Sequence, residues 1–377
     1  MRMRESQGAG RIRRWWRAWL ALAFALLASR ALVAGAPTAP AFARPQDTPT
    51  PLPVATVAPL TASNDPFGTG QAVPANQQGP DAWMWHATLP GARIVLDYGV
   101  LGCDICGVIG SYGSDEAGLL DQLQSLSHEY AVADPAHPVI SGLDIVDPLA
   151  DALPQAEGFY VDRMDPGTIE HYVAFTKAHH LLLFLDMQIE ASTVQRELAY
   201  LWPYLQLPWV HLAFDPEWDE SHDGQAEGCG LNFDPNHTGR AYASEINYMT
   251  DQLSALVLAQ HLPPKIFILH QYQFAENPAY DGYCANAKAS EGWQNLHLNP
   301  GVQIVVNDDG VGAAQYGGNA AKLEDYKAFD ADQRIQYPGL KMYYYHPGIQ
   351  PTNYDTVLMR PEDVVAIDPT PLLVMYA

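Results

Sequence analysis

The sequence predicts an α/β fold closed into a single (β/α)8 barrel. Two observations carry this: eight short aliphatic runs that end in polar residues, and amphipathic stretches of ten to twenty residues between them. That alternation is the pattern of βαβ units and a parallel sheet. The runs span roughly 290 residues, which suits the ~250 residues plus insertions of a TIM barrel. An open doubly wound sheet is the competing fold. It would need fewer strands and a Gly-rich phosphate turn after the first, and no such turn follows here.

The predicted strands are Arg93 to Asp97, Val139 to Ile145, Leu181 to Gln188, Val210 to Glu217, Lys265 to Gln271, Val302 to Asp308, Lys341 to Tyr345 and Leu372 to Tyr376. Helical periodicity fills the gaps at Ala117 to Tyr130, Thr168 to His180, Ser192 to Leu205, Arg240 to His261 and Ala320 to Phe329. Pro361 to Ala366 suggests one more turn before the last strand.

The barrel is predicted over residues 81–377, behind two other segments. Residues 1–43 read as an export signal: Arg11, Arg13, Arg14 and Arg17 lead into an apolar run from Ala18 to Ala28, and Ala41-Phe42-Ala43 offers a small-x-small cleavage site. The run is about half the ~20 residues of a membrane span; an uncleaved anchor is the alternative. Residues 44–80 are rich in Pro, Thr, Ala, Gln and Gly without hydrophobic period, the composition of a disordered linker. A secreted or cell-envelope location is expected, with no membrane contact after cleavage.

The chain has 20 Lys+Arg against 43 Asp+Glu, a formal charge of −23. Residues 1–43 hold seven of those Arg and one Glu, so the remainder carries 13 basic and 42 acidic residues, a net of −29. Such a surface repels phosphate backbones and anionic lipid, which argues against nucleic acid as a partner. A monomer acting on a neutral or cationic substrate is expected.

Cys103, Cys106, Cys229 and Cys284 favour disulfides in an exported chain. Cys103 and Cys106 share the loop after the first strand; Cys229 and Cys284 fall in the loops after the fourth and fifth, neighbours on one barrel face. A four-cysteine zinc site lacks the second paired spacing. A redox role for Cys103 and Cys106 would need a helix amino terminus and a thioredoxin-like context, neither of which the sequence signals.

Catalytic groups of such barrels collect at the carboxyl ends of the strands. The second strand ends with Asp144, the third with Asp186 and Gln188 in phase, and the fourth with Asp215 and Glu217, two apart and so on one side. The fifth ends with His270 and Gln271, the sixth with Asn307, Asp308 and Asp309, and the seventh carries Lys341, Tyr343, Tyr344 and Tyr345. Ionised carboxylates are costly in a core unless paired or used. Carboxyl groups that share a site split their pKa values, which equips them for glycosidic bond cleavage. Of Asp308 and Asp309, at most one faces the mouth. Trp218, Tyr272, Tyr343 and Tyr345 are candidate sugar-stacking residues, with core packing as the other reading. His270 reads first as a hydrogen-bonded core residue. A hard-cation site from Asp144, Asp186, Asp215 and His270 competes, but no His-x-x-x-His spacing supports it, so neither metal nor cofactor is expected.

The segments Phe184 to Gln188, Leu212 to Trp218, Ala243 to Asn247, Leu262 to Lys265 with His270-Gln271, and Asp309 to Gly312 resemble an uncharacterised family of exported bacterial TIM-barrel proteins, actinobacterial in type. The resemblance covers roughly residues 90–377. More distantly, the Asp215-Pro216-Glu217-Trp218 run is similar to the Asp-x-Glu pair of chitinase-type and lysozyme-type glycoside hydrolases. That resemblance implies Glu217 as proton donor and Asp215 as the residue that orients it or stabilises charge. The two further upstream aspartates of the chitinase motif are absent, Leu212 and Ala213 preceding Phe214, which speaks against substrate-assisted hydrolysis of N-acetyl sugars.

The expected function is therefore a glycosidase acting on a polysaccharide or cell-wall glycan, with Glu217 as acid/base and a second carboxylate from Asp186, Asp308 or Asp309. Substrate-binding roles fall to Asp144, Gln188, Trp218, His270, Gln271, Tyr272, Lys341, Tyr343 and Tyr345. A non-catalytic glycan-binding barrel and a metal-dependent hydrolase are the alternatives.

Overall fold

The computed structural model describes residues 81–151, 155, 157–219, 241–271, 296–332, 337–345 and 353–377, with Glu217 and residues 328–332 described for their backbone only. The signal and linker segments, Cys229, Cys284 and Tyr272 lie outside the described residues. Ten strands are present: β1 (Arg93–Gly99), β2 (Val139–Val146), β3 (Leu149–Ala150), β4 (Val161–Asp162), β5 (Leu182–Met187), β6 (Val210–Phe214), β7 (Lys265–Gln271), β8 (Val302–Asp308), β9 (Tyr337–Met342) and β10 (Leu373–Tyr376). Eight of them close a parallel barrel in the order β1-β10-β9-β8-β7-β6-β5-β2; β3 and β4 form a small antiparallel pair above β2. The predicted TIM barrel is the observed fold.

Eight helices accompany the strands among the described residues: α1 (Trp83–His86), α2 (Gly107–Tyr112), α3 (Glu116–Ala133), α4 (Pro166–Ala178), α5 (Val194–Leu205), α6 (Ala243–Gln260), α7 (Gly318–Asp332) and α8 (Pro361–Val365). Side-chain caps start three of them. Asp115, Asp165 and Thr193 each accept from a backbone N–H in the first turn of α3, α4 and α5. None is long and apolar enough to cross a membrane.

Buried on both faces, the strands read as near-continuous apolar runs, such as Leu182 to Leu185 or Ile266 to Leu269. The segment before β1 covers the amino end of the barrel. There Gln303 donates to Leu89 O at 2.7 Å and accepts from Leu89 N at 3.1 Å. Arg93, fully buried at the start of β1, donates to Asp134 beyond α3 at 2.6 Å and to Pro371 O ahead of β10, tying the seam where the first and last strands meet.

Two predicted strands need correction. The fourth barrel strand, β6, ends at Phe214 rather than Glu217, because Pro216 has no N–H to continue the ladder and Trp218 N–H closes a 3₁₀ turn onto Asp215 O at 3.1 Å. The seventh, β9, starts at Tyr337 and stops at Met342. Pro338 and Gly339 look like loop residues, yet Pro338 sits next to the strand's first residue, where a missing donor costs little.

Cys103 and Cys106 are disulfide-bonded, as the loop assignment allows. Cys106 immediately precedes α2, so the helix amino terminus that the sequence did not signal is present. Gly107 and Gly110 admit this loop: a Cβ on Gly107 would lie 2.4 Å from Tyr98 O, and one on Gly110 2.1 Å from Cys103 O.

Candidate functional site

Alternation along the strands decides which polar residues meet inside the barrel. Tyr98, Asp144, Asp186, His270, Asn307 and Lys341 lie in phase with the inward rows of β1, β2, β5, β7, β8 and β9. Gln188, Asp215, Asp309 and Tyr343 extend those rows just past the strand ends. His270 is at the centre of this group. Its Nδ1 lies 2.9 Å from Asp309 Oδ2 and 3.6 Å from Asp215 Oδ1; its Nε2 lies 3.6 Å from Asp186 Oδ2 and 3.9 Å from Asp144 Oδ2. His270 is a buried, hydrogen-bonded residue, as expected, but its partners are carboxylates that converge from several strands.

Asp309 is the most fully engaged of the four acids. It accepts from Lys341 Nζ at 2.8 Å, Asn307 Nδ2 at 2.8 Å and His270 Nδ1, and its backbone oxygen accepts from Tyr343 OH at 2.9 Å. Lys341 Nζ also lies 3.6 Å from the centre of the Tyr98 ring, a cation–π contact inside the barrel. Gln188 Nε2 donates to Asp215 Oδ2 at 2.9 Å, while its Oε1 accepts from Ala150 N on the β3–β4 pair. Both oxygens of Asp144, both of Asp186, Oδ1 of Asp215 and Nε2 of His270 are buried without a hydrogen-bond partner.

Four carboxylates therefore share the site with two groups that can carry positive charge, and burial separates their protonation. Burial pushes the Asp144 carboxyl up to about 7, against the pull of His270 and Lys341. Burial, then the Asp215 charge, raises Asp186 well above the usual carboxylate range. Asp309 goes the other way: burial opposes its charge, but His270 and Lys341 hold it down at about 2. For His270 burial disfavours the cation, and Asp309, Asp215 and Asp186 outweigh it, so its pKa rises well above that of free imidazole.

The structure brings together Asp144, Asp186, Gln188, Asp215, His270, Asp309, Lys341 and Tyr343 from the expected set. It does not bring in Asp308, which faces outward: its Oδ1 accepts from Gly310 N at 3.0 Å, and Lys322 and Asp325 of α7 are its charged neighbours. Gln271 also alternates outward and donates to the backbone oxygen of His270. Tyr345 is 62% exposed and meets Tyr354 edge-on, away from the cluster. Glu217 and Trp218 lie on the 3₁₀ turn past β6, so the strand-phase argument placing Glu217 beside Asp215 does not hold; Trp218 is half-buried there. Tyr98 and Asn307 complete the site and were missed as site residues. Each is two residues past an inward apolar position, Leu96 and Val305, so strand phase alone could have found them.

Neither protein-family models nor curated proteins match this chain.

Proposed function

We propose that the protein is a secreted glycoside hydrolase acting on a polysaccharide or cell-wall glycan at the carboxyl end of the barrel. The observation that carries the reading is the convergence of Asp144, Asp186, Asp215 and Asp309 from the ends of four strands, with Asp215 leading into the turn that carries Glu217. Glycosidases need a proton donor to the leaving oxygen and a second carboxylate that supports the attacking water or the developing oxocarbenium charge. Glu217 is the donor in this proposal. Asp186 is the second carboxylate, because Asp308 faces α7, Asp309 is held by Lys341, His270 and Asn307, and Asp186 alone of the three has two unpartnered oxygens inside the barrel. The similarity of Asp215-Pro216-Glu217-Trp218 to glycoside hydrolase barrels supports the same assignment. So does the acidic surface, which suits neutral or cationic glycans and repels anionic ones.

The test is sugar release from a panel of bacterial and plant polysaccharides by the protein and by Glu217→Gln. Release that falls at least a hundredfold in the variant is expected, on the order of what a general acid contributes. No release from any substrate, with glycan binding unchanged in the variant, would instead establish a binding barrel.

A further inference from the structure

We infer that Asp186, Asp215 and His270 form a binding site for one divalent transition-metal ion on the floor of the barrel mouth. One ligand atom from each of the three lies within 4.8 Å of the other two, and all three side chains are buried. Donors held about 2.0–2.2 Å from a common ion lie some 3 to 4.2 Å apart; His270 Nε2 and Asp186 Oδ2, at 3.6 Å, already meet that spacing.

Two further observations separate this site from an ordinary acidic cluster. The first is the fully buried His270 Nε2, which has no hydrogen-bond partner and is directed at Asp186 and Asp144. The second is the outer shell. Asp309 takes the other ring nitrogen of His270, and Lys341 and Asn307 in turn fix Asp309. Gln188 takes one oxygen of Asp215 and leaves Oδ1, 3.6 Å from His270 Nδ1, without a hydrogen bond. Metal-ligating imidazoles and carboxylates are oriented by such outer partners. A mixed imidazole and carboxylate donor set suits manganese or zinc better than calcium, which takes six or more oxygens. Asp144, 3.9 Å from Nε2, is the nearest further acid.

The binding itself is independent of the glycosidase proposal. Only its consequence, an ion-bound water delivered from the Asp186 side, rests on that reading.

The experiment is calorimetric titration of the EDTA-stripped full chain with Mn²⁺ and with Zn²⁺, paired with thermal denaturation. One ion per chain is expected, with a raised melting temperature. His270→Gln and Asp186→Asn should each weaken binding at least a hundredfold, and Gln188→Ala about tenfold. Melting curves in EDTA show whether each variant is folded, and the wild-type titration decides the matter even where a variant is not. Absence of binding of both ions by wild type, or undiminished binding by a folded Asp186→Asn variant, would overturn the inference. Glycan release that persists in a wild type binding neither ion overturns it too and leaves the glycosidase proposal standing. Ion binding without any glycan release supports the inference while removing that proposal.

Discussion

Asp309 Oδ2 lies 2.8 Å from Lys341 Nζ and, at the same time, 2.9 Å from His270 Nδ1. One buried oxygen thus couples the only lysine of the mouth, among the described residues, to its central histidine, and Asp309 acts as the keystone of the cluster rather than as a free catalytic acid.

Asp309→Asn should therefore be among the most destabilising conservative changes in the barrel. It leaves Lys341 buried without its main counter-charge, and breaking a buried pair from one side costs about 3–5 kcal/mol. Urea denaturation of the variant against wild type measures this. A loss below about 1 kcal/mol would show that Lys341 finds a substitute among Asp144, Asp186 and Asp215.

At the opposite end of the barrel, Arg93 and Asp134 set a pH dependence. Partial burial opposes ionisation of Asp134, but hydrogen bonds from His137 and Arg93 outweigh it and hold its carboxyl below the usual range. A depressed folded pKa adds stability above the unfolded value, and that stability is lost as pH falls through the folded value. The stability gap between wild type and Asp134→Asn should be complete from about pH 5 upward and should close below about pH 3. Denaturant titrations across that range test the sign; a gap that widens in acid would refute the pairing.

Gly339 tests how closely β9 must approach β8. A Cβ there would lie 2.8 Å from Asn307 Oδ1 and 2.8 Å from the Val305 side chain. Gly339→Ala should displace Asn307 from Asp309 and cost on the order of 1–3 kcal/mol through overpacking. The paired Gly339→Ala, Asn307→Ala variant should recover part of that loss, since the side chain that is crowded is gone.

Thr193 caps α5 through its hydroxyl, which accepts from Arg196 N at 3.3 Å. Thr193→Ala should lower stability by roughly 1 kcal/mol without altering any property of the mouth, and so serves as a control for the variants above.

The barrel was legible in the sequence because each strand carries its own signal. Lys265–Gln271 and Val302–Asp308 were predicted to the residue, since each holds a core of β-branched or aliphatic residues that ends in polar ones. Errors fell where proline and glycine carry two meanings: Pro216 ended β6 early, and Pro338-Gly339 disguised the start of β9. Of the site, position at a strand end identified Asp144, strand phase identified Asp186 with Gln188, and phase correctly allowed at most one of Asp308 and Asp309, whereas Lys341 was named on a strand expected to begin there. The role of His270 was not legible, because a lone histidine on an apolar strand gives no sign of its cross-barrel neighbours. Those neighbours come from β2, β5, the segment after β6, and the segment after β8. Three-dimensional closure alone supplies them.

The brace formed by Lys341, Asp309 and His270 also bears on how the chain matures. Asp144, Asp186, Asp215 and His270 all precede Lys341 in the sequence, so a growing or truncated chain holds these acids and the histidine before it holds the lysine that pairs with Asp309. Until β9 docks, the acids of the half-built barrel face His270 without Lys341, and β8 and β10 are not joined. Closure and charge balance then arrive in the same step. A fragment ending before Lys341 should therefore leave the barrel unclosed and Asp309 without its lysine partner.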